Sequence, residues 1–313
     1  MRIFFAGSPG IAVPSLKIIA SKYEICGVLT NPGKRSGRGG RRKLTPVELA
    51  AAELNLPVFP QDKIDSDFIS TVKGLKPDLL VVVAYGKIFK KDFLDSFPCG
   101  GINLHPSILP VYRGPSPLTA AILNGDTETG VSIQKLSLKM DAGDIIRQEK
   151  IRLNGKETTG GLISEVSIIG ARLLLLAIDD IIGGKAIPKK QDNSKASYCF
   201  IIKKSDGVID WNSSAEEIER RIRAYNPWPL AHTSFGDKIL NIYDAEPRED
   251  DRGSEETRAG RVIGIDKKEG ILIKTGRDIL VVKKLQLQSR KILDWRSFLN
   301  GTRNFVGSIL GEK

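Results

Sequence analysis

The stretch "DLLVVVAYG" (78–86) runs from Leu79 to Tyr85 without a polar residue. A short valine-rich run of this kind suits a strand buried on both faces, which occurs in parallel sheets covered by helices. The neighbouring segments fit that demand. Apolar runs that end in glycine or a turn, "RIFFAG" (2–7), "EICGVLT" (24–30), "GGINLH" (100–105) and "GVSIQKL" (130–136), alternate with stretches of helical spacing. The helical stretches are "VPSLKIIAS" (13–21), "TPVELAAAELN" (45–55) and "SPLTAAILNG" (116–125). Thr45 with Glu48 three residues later has the form of a capping box. The alternation predicts an α/β fold with a mostly parallel sheet.

The long helical stretch "GLISEVSIIGARLLLLAIDDIIGG" (161–184) closes this domain; Asp179 and Asp180 interrupt it, so it reads as a buried helix rather than a membrane span. Beyond it periodicity is lost. A new unit begins with the helix in "DWNSSAEEIERRIRAYNPWP" (210–229), capped by Ser213 with Glu216 or Ser214 with Glu217 and stopped by Pro227. Short strands separated by glycine or charged turns follow and predict a small β-barrel or sandwich. The expected organisation is a catalytic domain over 1–187, a linker over 188–206 and a smaller β domain over 207–313.

Three scattered cysteines without a CxxC pair, and two histidines in 313 residues, argue against a disulfide framework and against a metal site. The expected setting is a reducing cytoplasm, and the N-terminus has no signal-peptide pattern. A net charge of +11 favours a polyanionic partner. The charge is concentrated in two places. "GKRSGRGGRRK" (33–43) holds Lys34, Arg35, Arg38, Arg41, Arg42 and Lys43 among four glycines and no acid. It follows a strand, so it should lie at the carboxyl edge of the sheet, where α/β proteins bind ligands. From residue 257 onward there are thirteen Lys/Arg against five acids, a basic platform on the second unit.

The glycine turn "FAGSPG" (5–10) lacks the third glycine of a dinucleotide fingerprint and reads as a tight strand-to-helix turn. "INLHPS" is different: Asn103 and His105 stand at i and i+2, share a strand face, and end at Pro106 on the carboxyl edge. An amide there can donate to a developing oxyanion, and an imidazole with a pKa near about 6.5 can take a proton. A structural histidine capping a turn would also account for the pair taken alone. "KMDAGD" (139–144) adds Asp141 and Asp144 in a tight turn after the next strand, where a carboxylate can orient the imidazole.

"INLHPSILPVYRGPSP" followed by "KMDAGD" resembles the active-site signature of the 10-formyltetrahydrofolate-dependent formyltransferases, with Ile108 and Met140 where leucine is usual. "FAGSP", the basic segment, "VVVAYGKI", "GDTETGVSI" and the helix near 210–229 extend the resemblance over nearly the whole chain, to the branch of that family acting on methionyl-tRNA. The resemblance implies a Rossmann-like domain followed by an OB-like β-barrel, with no metal and no membrane. It implies formyl transfer from 10-formyltetrahydrofolate to the α-amino group of methionyl-initiator tRNA by a monomer. It also implies Asn103, His105 and Asp141 as the catalytic trio, with Ser107, Ile108, Leu109, Pro110, Gly86 and Ile88 around the folate. The basic residues 34–43 would then contact the acceptor end, Arg38 foremost. UDP-amino-sugar formyltransferases share the trio but need no six-cation loop. Glycinamide ribonucleotide formyltransferase is shorter, and a non-catalytic RNA-binding protein would have no use for the trio.

Overall fold

The computed structural model describes residues 1–36, 41–250 and 257–312. The chain divides into two compact units. The first comprises residues 1–117, 128–152 and 162–200; the second comprises 118–127, 153–161 and 201–313.

The first unit is built on β1 (Arg2–Gly7), β2 (Glu24–Thr30), the short strands β3 (Lys34–Ser36) and β4 (Arg41–Lys43), β5 (Val58–Pro60), β6 (Leu79–Val83), β7 (Gly101–His105), β8 (Glu128–Lys135) and β9 (Ile145–Arg152). Seven of these form one sheet in the order β5-β2-β1-β6-β7-β8-β9. The first five strands in that order pair in parallel, whereas β8 joins β7 and β9 joins β8 antiparallel. All five residues of β6 are buried, which is why the run lacks polar positions; each contributes about 1.5–3 kcal/mol through burial. β9 was not expected: "IIRQEKIR" alternates with charges and fully buries only Ile151, as an edge strand does.

Around the sheet lie α1 (Val13–Ala20), α2 (Pro46–Glu53), α3 (Ser66–Gly74), α4 (Lys91–Leu94) and most of α6 (Thr159–Ile182), whereas α5 (Pro117–Asn124) falls almost wholly in the second unit. α2 starts with the expected capping box: the Glu48 amide donates to Thr45 Oγ1 at 3.0 Å and the Thr45 amide to Glu48 Oε2 at 3.5 Å. The glycine turn after β1 leads through a 3₁₀ turn into α1. A side chain at Gly7 would stand 2.8 Å from the Val83 carbonyl oxygen, so this position demands glycine for close strand approach.

α6 is long and apolar enough to cross a bilayer by length and composition, but half of its most apolar window is buried in the protein. Asp179 near its end accepts from Lys22 at 2.7 Å and from Tyr23, and Asp180 accepts from Arg147 at 2.6 Å. These contacts make it a core helix. Gly170 of α6 comes so close to β7 that a side chain there would meet Leu104 Cδ1 at 2.5 Å. Leu104 thus faces the helix, and Asn103 and His105 project from the opposite face of the sheet.

An aromatic cluster supports the segment after β6. Tyr85 stacks on Phe89 (5.3 Å between centroids), and Phe89 stacks on Phe93 (5.0 Å). With Tyr85 and Phe89 turned inward, Gly86 and Ile88 are left at the surface.

In the second unit α7 (Ala215–Ala224) precedes β10 (Ala231–Phe235), β11 (Lys238–Arg248), β12 (Val262–Asp266), β13 (Gly270–Lys274), β14 (Ile279–Leu287) and β15 (Leu293–Asp294), and α8 (Trp295–Gly301) follows them. The cap of α7 is the Ser214–Glu217 pair of the two candidates. The strands form an antiparallel sheet in the order β10-β11-β14-β13-β12 with β15 on β14. Ile218 and Ile222 of α7 join Leu240, Ile242, Ile271, Ile273 and Leu280 in its core.

Candidate active site at the end of β7

His105 is the last residue of β7 and only 4% exposed. Its Nε2 lies 2.8 Å from the carbonyl oxygen of Tyr112. A carbonyl only accepts, so Nε2 carries the proton and Nδ1 is the free lone pair of the neutral ring. Nδ1 lies 3.6 Å from Asp141 Oδ1. That is beyond hydrogen-bond length, yet close enough for the carboxylate to stabilise an imidazolium.

Asp141 is fixed independently of the histidine. Its Oδ1 accepts from Gln134 Nε2 and its Oδ2 from the Gly114 amide, both at 2.9 Å. Asp141 (φ 49°) and Tyr112 (φ 57°) are both in the left-handed region. Non-glycine residues held there are strained, and both here touch the same imidazole. Asn103 pairs in register with Gln134 across β7 and β8, and His105 with Ser132. The four side chains therefore share one sheet face. The Asn103 carboxamide is partly exposed, and among the described residues no protein group bonds it. An amide without a protein partner can donate to an incoming carbonyl oxygen.

Burial pushes the His105 imidazole below its ordinary value, against the opposing pull of the Asp141 carboxylate and the Tyr112 carbonyl. The ring is therefore neutral at neutral pH, rather than titrating near its reference value as expected from sequence. The unfolded chain then binds the extra proton on acidification. The stability His105 contributes is complete above the unfolded pKa of about 6.5 and is lost as pH falls through the folded value. Urea unfolding at pH 7.5 and pH 5 should show this loss, and His105→Asn should reduce it. An identical pH dependence in the variant would exclude His105 as its source.

The other expected residues divide by exposure. Ser107 and Leu109 are buried. Ser107 Oγ donates to the Val111 carbonyl at 2.6 Å, and the Leu109 amide donates to Ser132 Oγ at 3.0 Å. Both therefore shape the wall, whereas Ile108 and Pro110 are half-buried and retain surface. Gly86 (φ 82°) and Ile88, 78% exposed, lie on the loop after the adjacent strand β6. The described parts of the basic segment, β3 and β4, pair antiparallel as the two arms of a hairpin, Lys34 with Lys43, Arg35 with Arg42 and Ser36 with Arg41. Arg42 Nη2 donates to Glu48 Oε1 at 3.1 Å, which ties the hairpin to the cap of α2. Lys43 is exposed. Arg38 lies outside the described residues.

Sequence reasoning missed Gln134 and Gln191. Gln191 Nε2 donates to the Asp141 and Gly143 carbonyls at 2.9 and 2.7 Å. Gln134 could have been found: in "GVSIQKL" both the apolar positions and the polar Ser132 and Gln134 are buried, so polar side chains face a covered site. Nothing local marks Gln191.

The family profile described as Formyl transferase matches residues 12–178, and that of its C-terminal domain matches residues 201–303. The chain is 43% identical to a protein of Treponema denticola named methionyl-tRNA formyltransferase, over 98% of both chains. The chain belongs to the methionyl-tRNA formyltransferase family. Solved structures with this fold include a methionyl-tRNA formyltransferase from Clostridium thermocellum (TM-score 0.55, 17% identity, 94% of this chain and 99% of that one). Another is an N-formyltransferase from Helicobacter canadensis in complex with folinic acid and dTDP-3-aminofucose (TM-score 0.66, 22% identity, 90% of this chain and 98% of that one). The formyl transferase match agrees with the formyl transfer expected from the sequence. Membership gives the fold two parts with precedent, a Rossmann-like N-terminal domain and a C-terminal antiparallel β domain.

Proposed function

We propose that this chain transfers the formyl group of 10-formyltetrahydrofolate to the α-amino group of methionyl-initiator tRNA, as a monomer in the cytoplasm. The near full-length identity to a protein of that name supports the acceptor. The observation that carries the reading is that the cationic hairpin and the trio occupy one edge of the sheet. The hairpin follows β2, and Asn103 and His105 stand at the end of β7, three strand positions apart in the order β2-β1-β6-β7. At about 4.8 Å per strand this is about 14 Å, a span the end of an acceptor strand can bridge.

The donor is held with its formyl group between Asn103 and His105, along the edge formed by Gly86, Ile88, Ile108 and Pro110. As the amine nitrogen bonds to the formyl carbon, the carbonyl oxygen gains charge and the Asn103 amide donates to it. His105 Nδ1 takes the proton that the amine nitrogen loses, and the Asp141 carboxylate stabilises the resulting imidazolium. The bond from the formyl carbon to the folate nitrogen then breaks, and that nitrogen recovers the proton. His105 serves as the base through Nδ1, because its Nε2 is committed to the Tyr112 carbonyl. Lys34, Arg35, Arg38, Arg41 and Lys43 follow the tRNA backbone, while Arg42 holds the hairpin through Glu48.

The test is formylation of methionyl-initiator tRNA by the wild type and by Arg38→Ala, beside a UDP-amino-sugar acceptor. The wild type should formylate the tRNA alone. The variant should have a KM for tRNA raised several-fold, an unchanged KM for folate, and a salt slope shallower by about 1. Formylation of the sugar alone would overturn the acceptor and leave the hairpin as solvated charge.

A further inference from the structure

Arg113 is a buried cation, 3% exposed, and among the described residues no carboxylate pairs with it. Its partners are neutral. Nε and Nη2 donate to Gln191 Oε1 at 3.1 and 2.7 Å, Nη2 also donates to Asn193 Oδ1 at 2.8 Å, and Nη1 lies 3.5 Å from Tyr198 Oη. A guanidinium cannot accept a hydrogen bond or lose its proton. The Gln191 amide is therefore fixed with its oxygen toward Arg113 and its nitrogen toward Asp141.

The same logic passes to the next amide. Gln191 Nε2 faces the Asp141 carbonyl (2.9 Å), the Gly143 carbonyl (2.7 Å) and Gln134 Oε1 (3.3 Å). Gln134 presents its Nε2 to Asp141 Oδ1 at 2.9 Å, an orientation the acceptor-only carboxylate sets, and this leaves its oxygen toward Gln191. An amide can turn over at little steric expense, so its orientation has to be set by its partners. Here the partners that cannot turn over are Arg113 at one end and the Asp141 carboxylate at the other, so both amides between them have one orientation.

On the reading of the site given above, we infer that Arg113 and Gln191 are positioning residues of the transfer reaction. They form a one-way relay, Arg113 to Gln191 to Gln134 to Asp141, that holds a donor on the carboxylate facing His105. The relay also explains how a buried Arg113 is tolerated: the charge it balances is the Asp141 carboxylate, reached through two neutral amides. Residues 188–200, expected as linker, belong to the first unit and carry part of this apparatus.

The decisive variant is Gln191→Glu. Its carboxylate still accepts from Arg113, so the buried cation keeps a partner, but it cannot donate to Gln134. Its second oxygen instead opposes the Asp141 and Gly143 carbonyls and Gln134 Oε1, so the turn that carries Asp141 and the amide beside it both lose their donor. Single-turnover formylation at saturating substrates should fall tenfold or more, with KM for tRNA and folate within twofold of wild type and the melting temperature nearly unchanged. Gln134→Met should fall similarly. The combination should fall no further than Gln134→Met alone, because both changes break one chain of bonds. Gln191→Met, which fills the space without an amide, must show the same split and covers the case in which the new carboxylate disturbs the loop. A wild-type rate in Gln191→Glu, losses that appear in KM, or multiplying losses in the double variant would overturn the relay. So would loss traced to unfolding in both position-191 variants. Wild-type turnover tests the functional reading, whereas the ratio of variant to wild type tests the relay on whichever acceptor the wild type formylates.

Discussion

Replacing His105 with asparagine should lower kcat about 10³-fold while leaving the KM for tRNA and for folate within a few-fold of wild type. The size follows from what the ring does. A positioned base contributes typically about 10²–10⁴-fold, and the neutral ring, its Nε2–H given to Tyr112, has one lone pair to offer. Asparagine keeps a polar side chain of similar bulk and cannot take a proton. Asn103→Ala should lose about 10²–10³-fold, the usual effect of removing one donor from a developing oxyanion. Steady-state kinetics with circular dichroism separates these losses from unfolding. Near-normal turnover in His105→Asn would remove the imidazole from the chemistry.

The second large effect is expected at a residue that touches no substrate. A Cβ on Gly143 would stand 1.8 Å from the Lys135 carbonyl oxygen and 2.8 Å from its carbon. Both neighbours are backbone, so no side chain can swing aside. The turn is also pinned, because the Lys135 amide donates to the Asp144 carbonyl at 2.8 Å. Gly143→Ala must therefore push the turn that carries Asp141 away from β8. Overpacking of this kind costs about 1–3 kcal/mol, and more where only backbone can yield. A displacement of about 1 Å at a reacting group lowers rates by about 10²-fold. The variant should melt several degrees lower and lose most of its turnover. Unchanged melting and kinetics would mean that the turn relaxes without moving Asp141.

The parts of this site that were legible in the sequence are those that a single element decides. Leu79–Val83 announces a doubly buried strand, and Asn103 with His105 announces a polar pair at the end of another. The pairing of Thr45 with Glu48 follows from local geometry alone. Asp141 required the resemblance as well, since pairing sets the end of β8 beside the start of β7, and the turn reaches the imidazole only through bonds from Gln134 and the Gly114 amide. The lowered pKa of His105 could not be read from the sequence because burial causes it, and burial is a property of the folded whole. Gln191 was invisible for a related reason. Its partners stand 48 to 78 positions away, while its own neighbourhood reads as polar and aperiodic.

That separation matters to a protein made from one end to the other. When synthesis has passed Asp144, all three members of the trio have been incorporated, yet the residue that braces the Asp141 turn through its carbonyls is still untranslated. A nascent chain halted before Gln191 would have the strand that bears His105 but an unbraced turn carrying its carboxylate. Arg113 would meanwhile be an ion without its acceptor. Competence should therefore arrive late in translation, in one step, with the arrival of residues 191–199. Fragments released on either side of that stretch should differ in activity far more than in secondary structure.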